Sequence, residues 1–504
     1  MSRRPVMPPL PRRLRASAMT RAVAAALALV LAGCAAVGPD YTPPTVALDP
    51  AFIGAGSSSL NSQPPAADIA RFWRGFGDAQ LNTLMDRALA ANGDLRIAQA
   101  RLQEARAGQD EAEAATRPGL GLDASAERST RPLTQQPGAS RSARTGNAFN
   151  ASFIAAWEID LFGRLRRGNE QALALAEAGS AGVAAAQTSV AAEVARNYMQ
   201  LRGLQQQLVH AQASLQRQRE SLRITQARAD AGRSTQLDLA RASGLVASTE
   251  AALPALQGAI EGSIFRLATL TAQPPRAMLA ALAAPAPLPA LPLTDLASLP
   301  AGTPAAWLQR RPDLIAAERE LAAATAGIGI ARSELYPQLS LSGLLGLNAA
   351  TLGSFGSFGS SAAARYAVGA GLSWTPFDLG AVRARIRASQ ARSQQSLARF
   401  EQAVAGALEE TEGAFSSFTR NAQRADRLAQ AVRSADEAAG LARLRFDAGV
   451  TDFLAVLDAE RELLSQRDQL VQAQVGTATA LVAVYRALGG GWDAPVGAAA
   501  AVQR

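Results

Sequence analysis

The chain carries an internal copy of itself, and this constrains its fold more than any other feature. Trp157 with Asp160-Leu161-Phe162-Gly163 returns as Trp374 with Phe377-Asp378-Leu379-Gly380, an offset of 217 residues. Asp230-Ala231-Gly232 returns as Asp447-Ala448-Gly449 at the same offset. Upstream the offset is 219: Asp94-Leu95 matches Asp313-Leu314, and Arg117-Pro118-Gly119-Leu120 matches Tyr336-Pro337-Gln338-Leu339. A two-residue longer loop in the first copy, between Pro118 and Trp157, is expected to absorb the difference. The period lies far outside the roughly 20–50 residues of solenoid repeats. One architecture must therefore be built from two equivalent halves.

Each half shows the same order: a helical pattern, two alternating segments, a very long helix, a glycine turn and a returning helix. In the alternating segments Leu120, Leu122, Ala124 and Ala126 share one face, as do Phe149, Ala151, Phe153, Ala155 and Trp157. The second half repeats this with Leu339, Leu341, Leu345 and Leu347, then Tyr366, Val368, Ala370, Leu372 and Trp374. Period two with one apolar face places that face in a core or in lipid. Each segment runs about ten residues, enough for a tilted membrane-spanning strand, and aromatic ends suit an interfacial girdle.

The stretches Gly163–Gly232 and Gly380–Gly449 contain no proline. As single helices each reaches about 100 Å, which no globular core needs. Leu201, Leu204, Leu208, Ala211, Leu215 and Leu222 follow heptad spacing, with Gln218 at the interrupted position, so coiled-coil packing is expected. Gly232 and Gly449 suit the residue just past a helix end. Ser234, and Thr451 or Asp452, suit caps of the returning helices. Gly163 and Gly380 are expected to mark the strand-to-helix turns.

The formal charge is +8, yet six arginines precede residue 34 with no acidic residue among them, leaving +2 for the rest. There is no lysine and no basic cluster rich in aromatics, so nucleic acid is excluded as a partner. The arginine-rich start and the apolar run Ala22–Leu31 have the form of a secretory signal. The run ends at Leu31-Ala32-Gly33-Cys34, which resembles the lipobox of bacterial lipoproteins, in which the cysteine is lipidated. Cys34 is the only cysteine, so no internal disulfide forms. The expected division is a signal peptide at 1–33, a lipid-anchored extended segment at 34–77 and a first repeat at 78–273. A Pro-rich linker at 274–311, a second repeat at 312–492 and a tail at 493–504 follow.

Four strands cannot close a barrel, and open edges are not tolerated against lipid. Three chains supply twelve. The expected fold is mainly α with transmembrane β: a trimeric 12-stranded barrel continuing into a long α-helical coiled-coil tunnel.

Specific motifs extend this reading. They are Val37-Gly38-Pro39-Asp40-Tyr41 after Cys34, Phe72-Trp73 with Phe76 and Leu81, Asn92-Gly93-Asp94-Leu95, and Arg310-Arg311-Pro312-Asp313-Leu314. Leu335-Tyr336-Pro337, Trp374-Thr375-Pro376 and Tyr485-Arg486-Ala487-Leu488-Gly489-Gly490-Gly491-Trp492 add to them. Together they resemble the TolC family of outer-membrane efflux proteins, in its lipidated NodT-type, OprM-like branch, over nearly the whole mature chain. The resemblance implies a homotrimer in outer-membrane lipid and a passive exit duct for drugs or other small molecules. Its implied partners are a periplasmic adaptor (a membrane fusion protein) and an inner-membrane resistance-nodulation-division (RND) pump. By position it implies a periplasmic gate at Leu454 and Asp458. Their first-half counterparts are Leu237 and Arg241, so the two hairpins are expected to gate unequally. The tips Ala231-Gly232-Arg233-Ser234 and Ala448-Gly449-Val450-Thr451 are expected to dock the adaptor.

No enzyme chemistry is visible. One histidine, His210, and one cysteine cannot make an ordinary zinc site. No phosphate loop follows a strand. No cofactor is expected. His210 is expected to be solvated or to face a tunnel, and Glu409, Glu410 and Glu412 to form a solvated helix face. A trimeric adhesin would carry its strands in one C-terminal block, and an adaptor would carry one helical hairpin. Export of proteins by a type I system uses the same fold and stands as the alternative.

Overall fold

The computed structural model of the protein describes residues 36–53, 69–292, 303–351, 353 and 363–492. Cys34, the segment 1–33 and the tail 493–504 lie outside the described residues. The first repeat runs α1 (Ala79–Ala91), α2 (Gly93–Ala114), β1 (Gly119–Thr130), α3 (Arg141–Arg144), β2 (Thr145–Ile159), α4 (Arg164–Asp230) and α5 (Gln236–Leu270). Two short helices, α6 (Pro275–Leu282) and α7 (Pro304–Leu308), lie between the repeats. The second repeat runs α8 (Pro312–Ser333), β3 (Gln338–Ala349), β4 (Ala364–Ser373), α9 (Leu379–Asp447) and α10 (Phe453–Ala487). The chain forms two compact units, each drawing on both repeats. One comprises residues up to Pro44 with Glu104–Ala176 and Arg319–Ala398; the other holds Thr45–Gln103, Glu177–Glu318 and the chain from Arg399.

The first unit holds one antiparallel sheet in the order β1-β2-β3-β4. Its register aligns the apolar sets of all four strands: Leu122 pairs with Phe153, Phe153 with Leu345, and Leu345 with Tyr366. Paired residues share a face, so one side of the sheet is apolar across all four strands, up to Arg128, Asn147, Thr130 and Thr145 at the hairpin end. Leu122, Leu345, Tyr366 and Val368 are all more than 60% exposed there. The opposite side carries Ser125, Asn150 and Asn348, joined by Asn348 Nδ2 to Asn150 Oδ1 at 2.7 Å and Asn150 Nδ2 to Ser125 Oγ at 3.2 Å. In β4 that side is Ala367, Gly369, Gly371 and Ser373. Neither β1 nor β4 has a second neighbour among the described residues.

The repeat is visible in the packing at the base of the sheet. The Trp157 indole donates to the Thr116 carbonyl at 3.0 Å, and Trp374 donates to Leu335 at 3.1 Å. Both rings are partly exposed, with the N–H satisfied, the state that suits an aromatic ring at a membrane surface. The offset change is not in a loop. Both hairpins leave fourteen residues between strands (131–144 and 350–363), and the two extra residues lengthen β2. There the ladder zips up to Thr130 opposite Thr145, whose hydroxyls lie 2.8 Å apart. Gly163 has φ +80° and turns the chain into α4. Gly380 does not turn; it lies in the first turn of α9, which the Thr375-Pro376-Phe377-Asp378 bend precedes.

The segment after Cys34 is extended and pinned. Val37 N–H donates to the Phe162 carbonyl at 3.0 Å, and Arg167 reaches the Val37 carbonyl at 3.3 Å and Asp40 at 2.6 Å. Gly38, at φ +108°, passes so close to Gly329 that a Cβ would lie 2.5 Å from its Cα. Only glycine fits there.

In the second unit α4 and α9, of 67 and 69 residues, pair with their returning helices. Its core gathers Tyr198, Met199 and Leu201 of α4, Ile264 and Leu267 of α5, Phe415 and Phe418 of α9, and Leu481 and Val484 of α10. Leu201, Ala211 and Leu215 are buried as the heptad requires, and Gln218 is buried with them, donating to Ser214 at 3.2 Å. Asp78 caps α1 and accepts from the Tyr198 hydroxyl at 2.8 Å. Burial and that bond push the Tyr198 phenol up to about 12, so it stays a donor. Arg202 is fully buried beside it, bonded to Tyr198, Gln205 and Gln80. Pro312 opens α8, and Arg311 bridges Asp313 and Glu410 at 2.7 and 2.8 Å. Glu410 and Glu412 are thus engaged rather than merely solvated, Glu412 accepting from Ile53 N–H at 2.7 Å.

Candidate functional site

The two tips end in the same way. At the first, Gly232 N–H donates to Ala229 and Arg233 N–H to Arg228; at the second, Gly449 donates to Phe446 and Val450 to Arg445. These paired bonds satisfy the last helical carbonyls and require a left-handed residue, which Gly232 (φ +69°) and Gly449 (φ +73°) provide. Ala231, Gly232, Arg233, Ala448, Gly449 and Val450 are exposed, and Ser234 and Thr451 are half-buried. A Cβ at either glycine would meet nothing within 4 Å.

The returning helices start differently. Thr235, not Ser234, caps α5, in a reciprocal box with Asp238. The hydrogen bond from Thr235 Oγ1, at 2.7 Å, holds the Asp238 carboxyl below its ordinary range. Asp452 caps α10 alone, accepting from Ala455 N–H at 3.3 Å.

Behind the second tip, Phe453, Val456 and Leu457 turn inward onto Phe446 of α9 and Ala242 and Leu245 of α5. This leaves Leu454 and Asp458 exposed on the other face of α10, one turn apart. Among the described residues Asp458 has no ion-pair or hydrogen-bond partner. Leu237 is exposed at the matching place in the first hairpin, and Arg241 is half-buried near Asp238.

Further along, Arg443 binds the buried Glu460 at 2.5 Å and Arg467 binds Asp436 at 2.7 Å. His210 is half-buried in this neighbourhood. Burial, then the charges of Arg467 and Arg217, push its pKa below the ordinary 6.5. One contact near the tips had no sequence signal: Arg228 of α4 stacks on Phe446 of α9. Nothing in a lone arginine near a helix end marks an aromatic ring more than two hundred residues away.

A sheet with one apolar and one polar face, two open edges and long paired helices defines a strand-built outer-membrane channel. The outer membrane efflux protein family matches the chain over residues 84–273 and again over 303–490. The chain therefore belongs to that family, and its internal repeat is the family's own. It is 33% identical over 90% of its length to the pyoverdine export outer membrane protein OpmQ of Pseudomonas putida, covering 94% of that protein. It is 30% identical to the solvent efflux pump outer membrane protein SrpC of Pseudomonas putida, with 92% of this chain and 97% of that protein covered. Among solved structures, the outer-membrane channel OprN superposes with a TM-score of 0.83 at 40% identity, over 91% of this chain and all of that one. The fold class is that of these trimeric 12-stranded channels with helical tunnels, four strands coming from each chain, and the protein belongs in the outer membrane.

Proposed function

We propose that the protein is the outer-membrane exit duct of a tripartite efflux pump. It would receive small molecules from an inner-membrane RND transporter through a periplasmic adaptor. The observation that carries this reading is the sheet register. One side is apolar across all four strands, and the other is mostly small or polar, with serine, asparagine, glycine, alanine and carboxylate and the single apolar pair Ile154–Leu344. Closed by symmetry, such a sheet lines water and faces lipid. The relatives named above export pyoverdine and solvents, which favours small cargo over secreted proteins. The duct itself supplies no energy and no chemistry.

The exposed tips at Gly232 and Gly449 would dock the adaptor, and Leu454 with Asp458 would close the tunnel as rings of three. Cys34 would be the lipidated first residue. That reading is supported by the described chain that follows, where Ala36 lies so close to Gly163 that a Cβ there would sit 2.4 Å from the alanine Cβ. Gly163 is four residues past the end of β2. Mass spectrometry of the mature N-terminus should find a triacylated Cys34; an unmodified chain beginning elsewhere rejects the anchor. The function itself is tested in a strain lacking its own exit channel but holding pump and adaptor. Dye efflux should return with this protein. Trimers that reach the outer membrane without restoring efflux for any co-expressed pump and adaptor pair would reject it.

A further inference from the structure

The two ends of the sheet carry arginine differently. Where the strands join the helices, several guanidinium groups are paired with carboxylates. Arg117 binds Glu113, Arg164 binds Glu158 at 2.6 Å, Arg166 binds Asp160 at 3.3 Å, and Arg385 binds Glu334 at 2.6 Å. At the hairpin end Arg128, Arg131 and Arg141 are exposed, and among the described residues their side chains have no carboxylate or hydrogen-bond partner. Residues 128–144 contain no Asp or Glu. Arg144, the fourth arginine there, is used by the loop itself, donating to the Arg131 carbonyl at 2.8 Å and to Ala139 at 3.3 Å. The loop is thus held in shape while three cations stay free of it.

Their placement relative to lipid is specific. Arg128 stands opposite Asn147, on the face that carries Leu120, Leu122, Ala124 and Ala126. Glu127 points to the other face. The lipid-facing side of β1 therefore reads as an apolar band closed by a cation, with Arg131 and Arg141 just beyond. The strands enter and leave through helices at the opposite end, so this rim lies on the outer side of the membrane. An arginine at such a boundary covers apolar surface with its stem and keeps its head polar. Its planar fork matches phosphate bidentately.

We propose that Arg128, Arg131 and Arg141 form a docking surface for the phosphate groups of the phosphorylated glycolipid in the outer leaflet. This rests on the outer-membrane location and not on the efflux reading. A trimer presents the surface three times, so the lipid would form a bound collar at the rim. Paired arginines at the inner end have no such role, because their charge is already matched.

The test uses full-length trimers in detergent, with binding read by native mass spectrometry at low and high salt. The probes are intact lipopolysaccharide, the same lipid stripped of phosphate, and inorganic pyrophosphate. Wild type should bind intact lipid, and phosphate-stripped lipid at least about tenfold more weakly, because several cations meet each headgroup. Arg128→Gln, Arg131→Gln and Arg141→Gln should each weaken binding about fivefold, the factor for one cation beside an anionic lipid surface. The lysine variants should recover most of it, and Arg387→Gln, an exposed arginine on α9, should change nothing. Equal binding of intact and stripped lipid by wild type overturns the proposal without relying on any variant. So do glutamine variants that form trimers and bind as wild type does. Pyrophosphate that binds as tightly as the lipid would show a free-anion site instead.

Discussion

The guanidinium of Arg228 lies over the ring of Phe446, 4.0 Å from its centroid, and donates to the carbonyls of Phe446 at 2.9 Å and Asp447 at 3.2 Å. The end of the first long helix thereby caps the end of the second. The repeat does not return the favour. Arg445, the counterpart of Arg228, is exposed, and the counterpart of Phe446 is Ala229. Arg228 thus adds a one-sided polar tie to the apolar cluster in which Ala242 and Leu245 of the first hairpin meet Phe446, Phe453, Val456 and Leu457 of the second. A cation–π contact and two carbonyl bonds together contribute about 1–2 kcal/mol. Arg228→Ala should therefore speed amide exchange across Phe446–Asp452 by about tenfold while trimers persist. Unchanged exchange there would show that the apolar cluster around Phe446 holds the tip without Arg228.

The docking role of the tips separates from their backbone role by choice of substituent. Both glycines have open space for a side chain but a positive φ. Gly449→Val strains the turn by about 1–2 kcal/mol, whereas Gly449→Asn tolerates the left-handed conformation and still adds bulk. If the tip docks an adaptor, both variants should lower drug resistance at normal trimer levels. Normal resistance with the asparagine variant would mean that Gly449 serves only the turn.

His210 makes stability depend on pH. Its folded pKa is depressed, so the unfolded chain takes up a proton near pH 6.5 while the folded one stays neutral. Stability is then level above that pH and falls as pH drops toward the folded value. Burial pushes the Asp468 carboxyl upward, which acts in the opposite sense, so the comparison must be with a variant. Thermal midpoints of trimers at about pH 7.5 and about pH 5 should fall further for wild type than for His210→Gln. An equal fall in both would exclude His210 as the cause.

Much of this was legible in the sequence because it is periodic. The four strands follow from alternation, and the tip glycines from their place after proline-free helices. Where the sequence misled, a local competition decided. Ladder pairing at Thr130 and Thr145 drew two residues from a loop into a strand. The Thr235-to-Asp238 box won the cap from Ser234, and that spacing was available to read. Arg202 was not legible, since it sits beside a leucine heptad. It is buried only because Gln80 and Tyr198, 122 and 4 residues away, supply acceptors. Arg228 was hidden for the same reason.

The central claim is a passive tube closed at one constriction. Single-channel recording of purified trimers in a planar bilayer tests it most directly. Leu454→Ala combined with Asp458→Ala should raise conductance and admit vancomycin-sized solutes in cells, because both side chains leave the core free on one face of α10. Leu237→Ala with Arg241→Ala should have a smaller effect, since Arg241 is half-buried. Larger, stable conductance steps from the Leu454 and Asp458 double variant than from wild type are the expected result. Double-variant trimers that conduct as wild type does would contradict the account and place the constriction elsewhere.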